Sequence, residues 1–116
     1  MEGTESIFTK IIKREIPADI VAENERLIAF RDINPQAPVH ILVVPKKPLR
    51  NLKDAKEEDK ELLGEMLLFA AELARKEGID EQGYRVVINN EESAGQSVFH
   101  LHFHLLGGRT FSWPPG

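Results

Sequence analysis

The chain has 116 residues, 41% of them hydrophobic and 29% charged, with 7 Pro, 8 Gly and no Cys. That size and apolar share suit one domain with one ordinary core and exclude collagenous, mucin-like and natively disordered chains. The missing cysteine excludes a disulfide-stapled secreted module. The net charge is −4, distributed as +2 over residues 1–53 and −6 over residues 54–116. The short basic cluster of Lys46, Lys47, Arg50 and Lys53 has no interleaved aromatics and reads as a solvated loop, so no nucleic-acid partner is expected. No apolar run approaches the roughly 18–20 residues of a bilayer span, so no membrane partner is expected. Met1-Glu2-Gly3-Thr4-Glu5 is acidic where a secretory signal would be basic. The expectation is a single soluble domain over residues 1–116, located in the cytoplasm.

In chain order, Ile7, Phe8, Ile11 and Ile12 stand at helical spacing, with Ser6 as the cap and Pro17 as the stop, which predicts a short helix within residues 6–14. Ile20–Glu23 and Leu27–Arg31 predict a hairpin about Asn24-Glu25-Arg26. Residues 32–38 form a loop by their two prolines, and Val39–Val44 is a nearly all-apolar, hence central, strand that Pro45 ends. Glu57–Glu77 carries the long helix. Leu62, Leu63, Met66, Leu67, Ala70, Leu73 and Ala74 supply its apolar stripe and Gly78 its stop. Tyr84–Asn89 and Val98–Leu106 complete the set as strands. The order α, β, β, β, α, β, β predicts an α+β fold, a five-stranded antiparallel sheet with one long and one short helix covering one face.

Chemistry concentrates in Ser97-Val98-Phe99-His100-Leu101-His102-Phe103-His104-Leu105-Leu106. Alternation on a strand puts Phe99, Leu101, Phe103 and Leu105 on one face and three of the chain's four histidines on the other. A sealed face would cost about 1–3 kcal/mol for each unpaired ring nitrogen. The histidine face is therefore expected to open on a pocket. Two chemistries suit such a row. One is metal ligation. Residues i and i+4 lie roughly 13 Å apart on a straight strand, so two adjacent histidines would need a third ligand such as Asp32 or His40. The other is nucleophilic attack by a histidine, with neighbours orienting it and assisting the leaving group. The preceding loop, Asn89 to Ser97, holds Gly95 for close backbone approach and donors at Gln96 and Ser97, which suits a phosphate.

His100-Leu101-His102-Phe103-His104-Leu105-Leu106 resembles the His-φ-His-φ-His-φ-φ signature of the histidine triad superfamily, φ being apolar. Ile7-Phe8-x-Lys10-Ile11-Ile12, Ile16-Pro17-Ala18, Phe30-x-Asp32-Ile33-x-Pro35-Gln36-Ala37-Pro38-x-His40, Pro45-Lys46-Lys47, Gly95-Gln96-Ser97-Val98 and the ending from Leu106-Gly107-Gly108-Arg109 to Trp113-Pro114-Pro115-Gly116 resemble its Hint branch. The resemblance implies a homodimer whose two sheets join across the two-fold. It also implies metal-independent, cofactor-free hydrolysis of purine nucleoside phosphoramidates (AMP or GMP linked to an amine) through a nucleotidyl-histidine. His102 would be the nucleophile, its far nitrogen held by the His100 carbonyl. His104 would contact phosphate or leaving group, and His40 would help line the site. Ser97, Asn89 and the backbone of Gly95, Gln96 and Val98 would bind phosphate or leaving-group atoms. Asp32 would bind the ribose hydroxyls, and Ile7, Phe8, Phe30, Ile33 and Leu42 would form the base slot. Trp113 would dock near the partner's site. Asn90-Glu91 and Ala94 depart from relatives in the phosphate loop, and Asp32 reads equally as a turn residue. The alternatives are a dinucleoside polyphosphate hydrolase, a nucleotide-binding module with incidental turnover, and a zinc-binding protein.

Overall fold

Ser6 begins the first helix in the expected way: its hydroxyl accepts the Thr9 backbone N–H at 3.0 Å, which satisfies one of the free donors of α1, Ile7–Ile12. The computed structural model describes residues 5–116, so the acidic stretch Met1–Thr4 lies outside the described residues. The hairpin follows as β1 (Ile20–Glu23) and β2 (Leu27–Arg31). Its turn is closed by the Asn24 side chain, which accepts the N–H groups of Arg26 and Leu27 at 2.9 Å each. β3 is Val39–Pro45, α2 is Lys60–Lys76, β4 is Tyr84–Val87 and β5 is Phe103–Gly107. One antiparallel sheet results, in the order β1-β2-β3-β5-β4.

Several sequence expectations shift. Residues Glu57–Asp59 form a separate 3-10 turn, because the Asp59 carboxylate accepts the Lys56 N–H at 2.9 Å and folds the chain back before α2 starts. The two helices lie on opposite faces of the sheet. Met66, Ala70 and Leu73 of α2 cover Leu27, Ala29, Ile41 and Val43, while Phe8 and Ile11 of α1 cover Ile28, Phe30, Leu42 and Val44. Successive residues of β2 and β3 point alternately up and down, so strands that are apolar at every position need cover on both sides. Leu67, placed on the buried stripe by its spacing, is half exposed beside Leu68.

A further difference concerns the histidine strand, which starts at Phe103 rather than Val98. In the β3–β5 register Val43 pairs with Phe103, so continuing it would set Val44 opposite His102 and then Pro45 opposite Leu101. Proline has no N–H to donate, and the pairing stops there. Residues 98–102 run on as irregular chain, anchored by the Leu101 N–H on the Leu49 carbonyl at 2.7 Å. Leu101, Phe103 and Leu105 still reach the core under α2, but Phe99 is left exposed.

Met66 has no exposed surface and sits where α2 meets the sheet. Met66→Ala is expected to cost about 2–5 kcal/mol, read as a lowered urea midpoint with an unchanged m value.

Candidate active site

On the α1 side of the sheet a cleft of about 360 Å³ opens between α1, the end of β2 and the segment before β5. All five residues expected to form an apolar slot, Ile7, Phe8, Phe30, Ile33 and Leu42, line it, together with Asp32, Ser97, Val98, His102 and His104. Ile33 is 96% exposed, an aliphatic side chain standing at the rim with nothing over it. Ile16, Pro17 and Ala18 complete the apolar wall. In the sequence Pro17 reads as the helix stop and Ile16-Pro17-Ala18 as part of the family resemblance, with no place in the site assigned to them.

The four histidines are mostly interior: His40, His100 and His102 are buried, and His104 is half-buried. This corrects the expectation of an open face for the whole row. Burial is tolerated because the rings are paired, and no buried side-chain polar atom is left without a partner among the described residues. Each pairing also dictates where the ring proton sits, since a neutral imidazole has one donor nitrogen and one acceptor nitrogen. His100 Nε2 lies 2.7 Å from the Pro45 carbonyl and therefore carries the hydrogen, leaving Nδ1 to accept from Ser6 or Thr9 Oγ at 3.3 Å. His102 Nδ1 lies 2.7 Å from the His100 carbonyl and carries the hydrogen there. The Gln36 backbone N–H points at His40 Nδ1 at 3.0 Å, so that nitrogen is an acceptor and the hydrogen of His40 is on Nε2. His40 Nε2 in turn lies 2.9 Å from His104 Nδ1, with the Asp32 carboxylate 3.4 Å away. His104 Nδ1 is thereby an acceptor, and His104 carries its hydrogen on Nε2.

The consequence is a division of labour. His102 alone presents a bare Nε2 lone pair that no described residue occupies, and His104, its ring centroid 5.0 Å away, presents an N–H. Phe8 stands edge-on to His102 at 4.9 Å and fixes the ring plane. Burial lowers the pKa of His40, His100 and His102, and it lowers His104 to about 4, helped by the neighbouring His102 and His40. All four rings are therefore neutral at pH 7, and His104 acts as a hydrogen-bond donor rather than as a stored proton.

The other expected residues divide. His100 does not line the cleft; both its nitrogens are spent inside the protein, and its carbonyl is what touches His102. Gln96, expected to offer a donor, is a buried brace. Its Nε2 donates to the Arg50 and Val98 carbonyls, and its Oε1 accepts from Asn51 Nδ2 and the Glu91 N–H. Its backbone N–H goes to the Glu91 carbonyl at 3.2 Å. Asn51, fully buried and missed by the sequence analysis, is the hub of this brace. Glu91 sits at φ 74° and ψ 170°, a region that side chains avoid. Asn51 and Arg50 hold its carboxylate and push its pKa down to about 2. Gly95 supplies the next left-handed step at φ 96°. The departure at Glu91 thus leaves a glycine-like turn in place by side-chain tethering. Ser97 and Val98 emerge from it at the cleft. Asn89 and His40 line a second cleft, on the far side of His104. Asp32 is a turn residue, as one reading had it: Oδ1 accepts the Asn34 N–H at 2.8 Å, while Oδ2 faces His40 at the edge of the cleft. Trp113 is 82% exposed, with no docking place within its own chain.

The sequence profile of the HIT domain matches residues 13–111. The chain belongs to the HIT family. It is 60% identical over 112 residues to an uncharacterized HIT-like protein of Synechocystis, covering 97% of each chain. It is 53% identical over 118 residues to a 14 kDa zinc-binding protein of Zea mays, covering all of this chain and 91% of that one. The fold superposes on the crystal structure of a HIT family hydrolase from Legionella pneumophila with a TM-score of 0.95 at 49% identity, over 97% of this chain and 100% of that one. The α+β HIT fold, with its five-stranded antiparallel sheet and one long helix, is therefore that of this protein.

Two measurements check the state of the HIT histidines. Ring 15N shifts at pH 7 are expected to show Nδ1–H for His102 and Nε2–H for His40, His100 and His104. Acid stability follows from the same burial. Below about pH 6.5 the unfolded histidines bind protons that folded His104 refuses until about pH 4. Unfolding free energy is expected to fall as pH drops through that window, and His104→Asn to flatten the fall.

Proposed function

We propose that this HIT protein hydrolyses purine nucleoside phosphoramidates, splitting the P–N bond of an AMP or GMP conjugate through a nucleotide covalently held on His102. The observation that carries the reading is the bare Nε2 of His102, held in place by the His100 carbonyl on the opposite nitrogen and aimed into a cleft with an apolar slot at one end. A neutral, buried imidazole needs no deprotonation before it attacks.

The slot of Ile7, Phe8, Phe30, Ile33 and Leu42 is suited to the faces of a purine. Asp32 lines the cleft, and its carboxylate oxygens keep lone pairs that could accept from a ribose hydroxyl. In the first step the Nε2 lone pair forms a bond to phosphorus, and the amine nitrogen leaves with the P–N electron pair and takes up a proton from solvent. Positive charge on the His102 ring is met by the His100 carbonyl. In the second step water adds to phosphorus, loses one proton, and releases the nucleoside monophosphate and a neutral His102. The proton lost by water balances the one taken by the amine. The Nε2–H of His104 and the hydroxyl of Ser97 supply hydrogen bonds at the phosphorus end, where negative charge gathers.

The zinc reading rests on a specific geometry. Asp32, His40 and His104 offer ligand atoms within 4.8 Å of one another, and the Zea mays relative is named a zinc-binding protein. The residues do not fit a metal as they stand. A metal on His40 Nε2 would force the hydrogen of that ring onto Nδ1, where it would meet the Gln36 N–H donor at 3.0 Å. Two donors facing each other in a buried site leave both unsatisfied. No metal step is therefore part of the proposed reaction.

The same reading includes a homodimer. β4 is a sheet edge with unpaired backbone groups, and Leu67 and Leu68 stand exposed on α2. Pairing of the two edges would join the sheets and give the exposed Trp113 a neighbouring cleft to approach.

With an AMP–alkylamine phosphoramidate in excess EDTA, the parent protein is expected to turn over and His102→Ala to fall to background. Activity that disappears with EDTA and returns with zinc would favour the metal reading. AMP binding with no turnover by the parent would leave only the binding-module reading. Light scattering at micromolar protein is expected to report twice the 13.1 kDa chain mass, and a monomer would sink the account of Trp113.

A further inference from the structure

Two loops set 40 residues apart in the chain are fastened to each other behind the cleft. Residues 50–53 hold residues 90–96, the turn from which Ser97 and Val98 reach the cleft. Asn90 Oδ1 accepts the Leu52 N–H at 2.8 Å. The Glu91 carboxylate accepts from Asn51 Nδ2 at 2.9 Å and from Arg50 at 3.1 Å, with Lys53 Nζ 3.4 Å away. Phe99, exposed where the strand has not yet begun, gives Arg50 a ring to stack on, the guanidinium carbon lying 4.3 Å from its centroid. Asn90 and Glu91, both departures from relatives, are thus anchors on the same short segment.

Position 91 has to supply an acceptor. A side-chain amide has two N–H donors and an oxygen with two lone pairs. Asn51 is fully buried, and one of its N–H groups goes to Gln96 Oε1 at 3.0 Å and the other to Glu91. Gln96 Oε1 also takes the Glu91 N–H at 2.7 Å, while Gln96 Nε2 donates to the Arg50 carbonyl at 2.8 Å and to the Val98 carbonyl at 3.1 Å. Every polar site on the Gln96 side chain is therefore filled. Its bond to Val98 spans Ser97, so the serine is pinned through the residues on both sides of it. Glu91→Gly would suit the φ of 74°, yet it would leave one buried Asn51 donor without its acceptor.

We propose that Glu91 and Asn51 are positioning residues for the reaction, holding Ser97 at the phosphorus end of the cleft through Gln96 and Val98. This rests on the phosphoramidate reading above and adds a control on the step at phosphorus that lies outside the cleft itself. Neither residue lines the cleft, whereas Ser97 does and carries their effect. The purine slot is built on other elements, α1 and the ends of β2 and β3, so the clamp governs the chemical step and leaves nucleoside binding alone.

The test uses the AMP–alkylamine phosphoramidate and reads kcat together with the inhibition constant of adenosine, which has no phosphate. Glu91→Gly is expected to lower kcat about tenfold, as a slightly displaced group at the reacting centre does, with the adenosine constant unchanged. Glu91→Gln, whose side-chain carbonyl still accepts from Asn51, is expected to recover part of the loss. Glu92→Ala, which removes an exposed charge from the same loop, is expected to match the parent. In a Ser97→Ala background Glu91→Gly is expected to have little further effect, because the clamp acts through that hydroxyl. A parental kcat in Glu91→Gly overturns the proposal while the phosphoramidate reading stands. Full additivity with Ser97→Ala would route the effect elsewhere and also overturn it. An equal loss in Glu92→Ala would reduce it to loop charge, and a parallel loss of adenosine binding would mark general loosening; either sinks the positioning role. A parent that does not hydrolyse the conjugate overturns both readings together.

Discussion

A neutral imidazole carries one donor and one acceptor, and four of them gathered at the centre of this sheet have to be matched nitrogen by nitrogen. That requirement organises the site. The Gln36 N–H decides His40, His40 decides His104, the Pro45 carbonyl decides His100, and the His100 carbonyl decides His102. No step in the chain is interchangeable with its mirror, because each reversal would set two donors or two lone pairs face to face in a buried place. The outcome is one ring with a free lone pair next to one ring with a free N–H. A nucleophile and an electrostatic helper are thus distinguished among identical side chains by backbone groups, relayed to His104 through the His40 ring.

Pro45 links this matching to the fold. It ends the ladder between β3 and β5, which frees the segment before Phe103 from strand geometry. Only in that irregular segment can the His102 ring bend back to the carbonyl two residues earlier, and only there is the Pro45 carbonyl open to His100. α1 then closes the same face with Phe8, which touches both the core and the His102 ring. The loop from Glu91 to Ser97 is tied to the opposite side by Asn51 and Gln96, two buried amides that spend their hydrogen-bonding capacity on structure. The cleft is accordingly built of rigid parts: a strand end, a helix and a braced turn.

Much of this was legible in the residues. The hairpin, the central strand and both helices follow from hydrophobic spacing and from Ser6, Asn24 and Gly78 at their ends, since these signals act over a few residues. The five apolar positions of the proposed purine slot and the three-histidine run were legible only by resemblance and by alternation. The roles were harder. His100 and Gln96 look like site residues in sequence because their side chains are polar and sit among others that face the cleft, yet both are interior braces. Nothing local marks Arg50 or Asn51, whose partners lie 40 to 45 residues away in the chain.

By itself the sequence determined the elements, the HIT family and the set of residues from which a site could be made, because spacing and capping are short-range and a signature is a list of side chains. Tertiary structure decided which face each helix covers, where the histidine strand begins, which ring keeps a lone pair, and that Asn51 meets Glu91. Those outcomes depend on pairing between segments far apart in the chain. A hydrogen bond from Gln36 to His40 to His104, or a proline opposite Leu101, exists only once the strands have found their register.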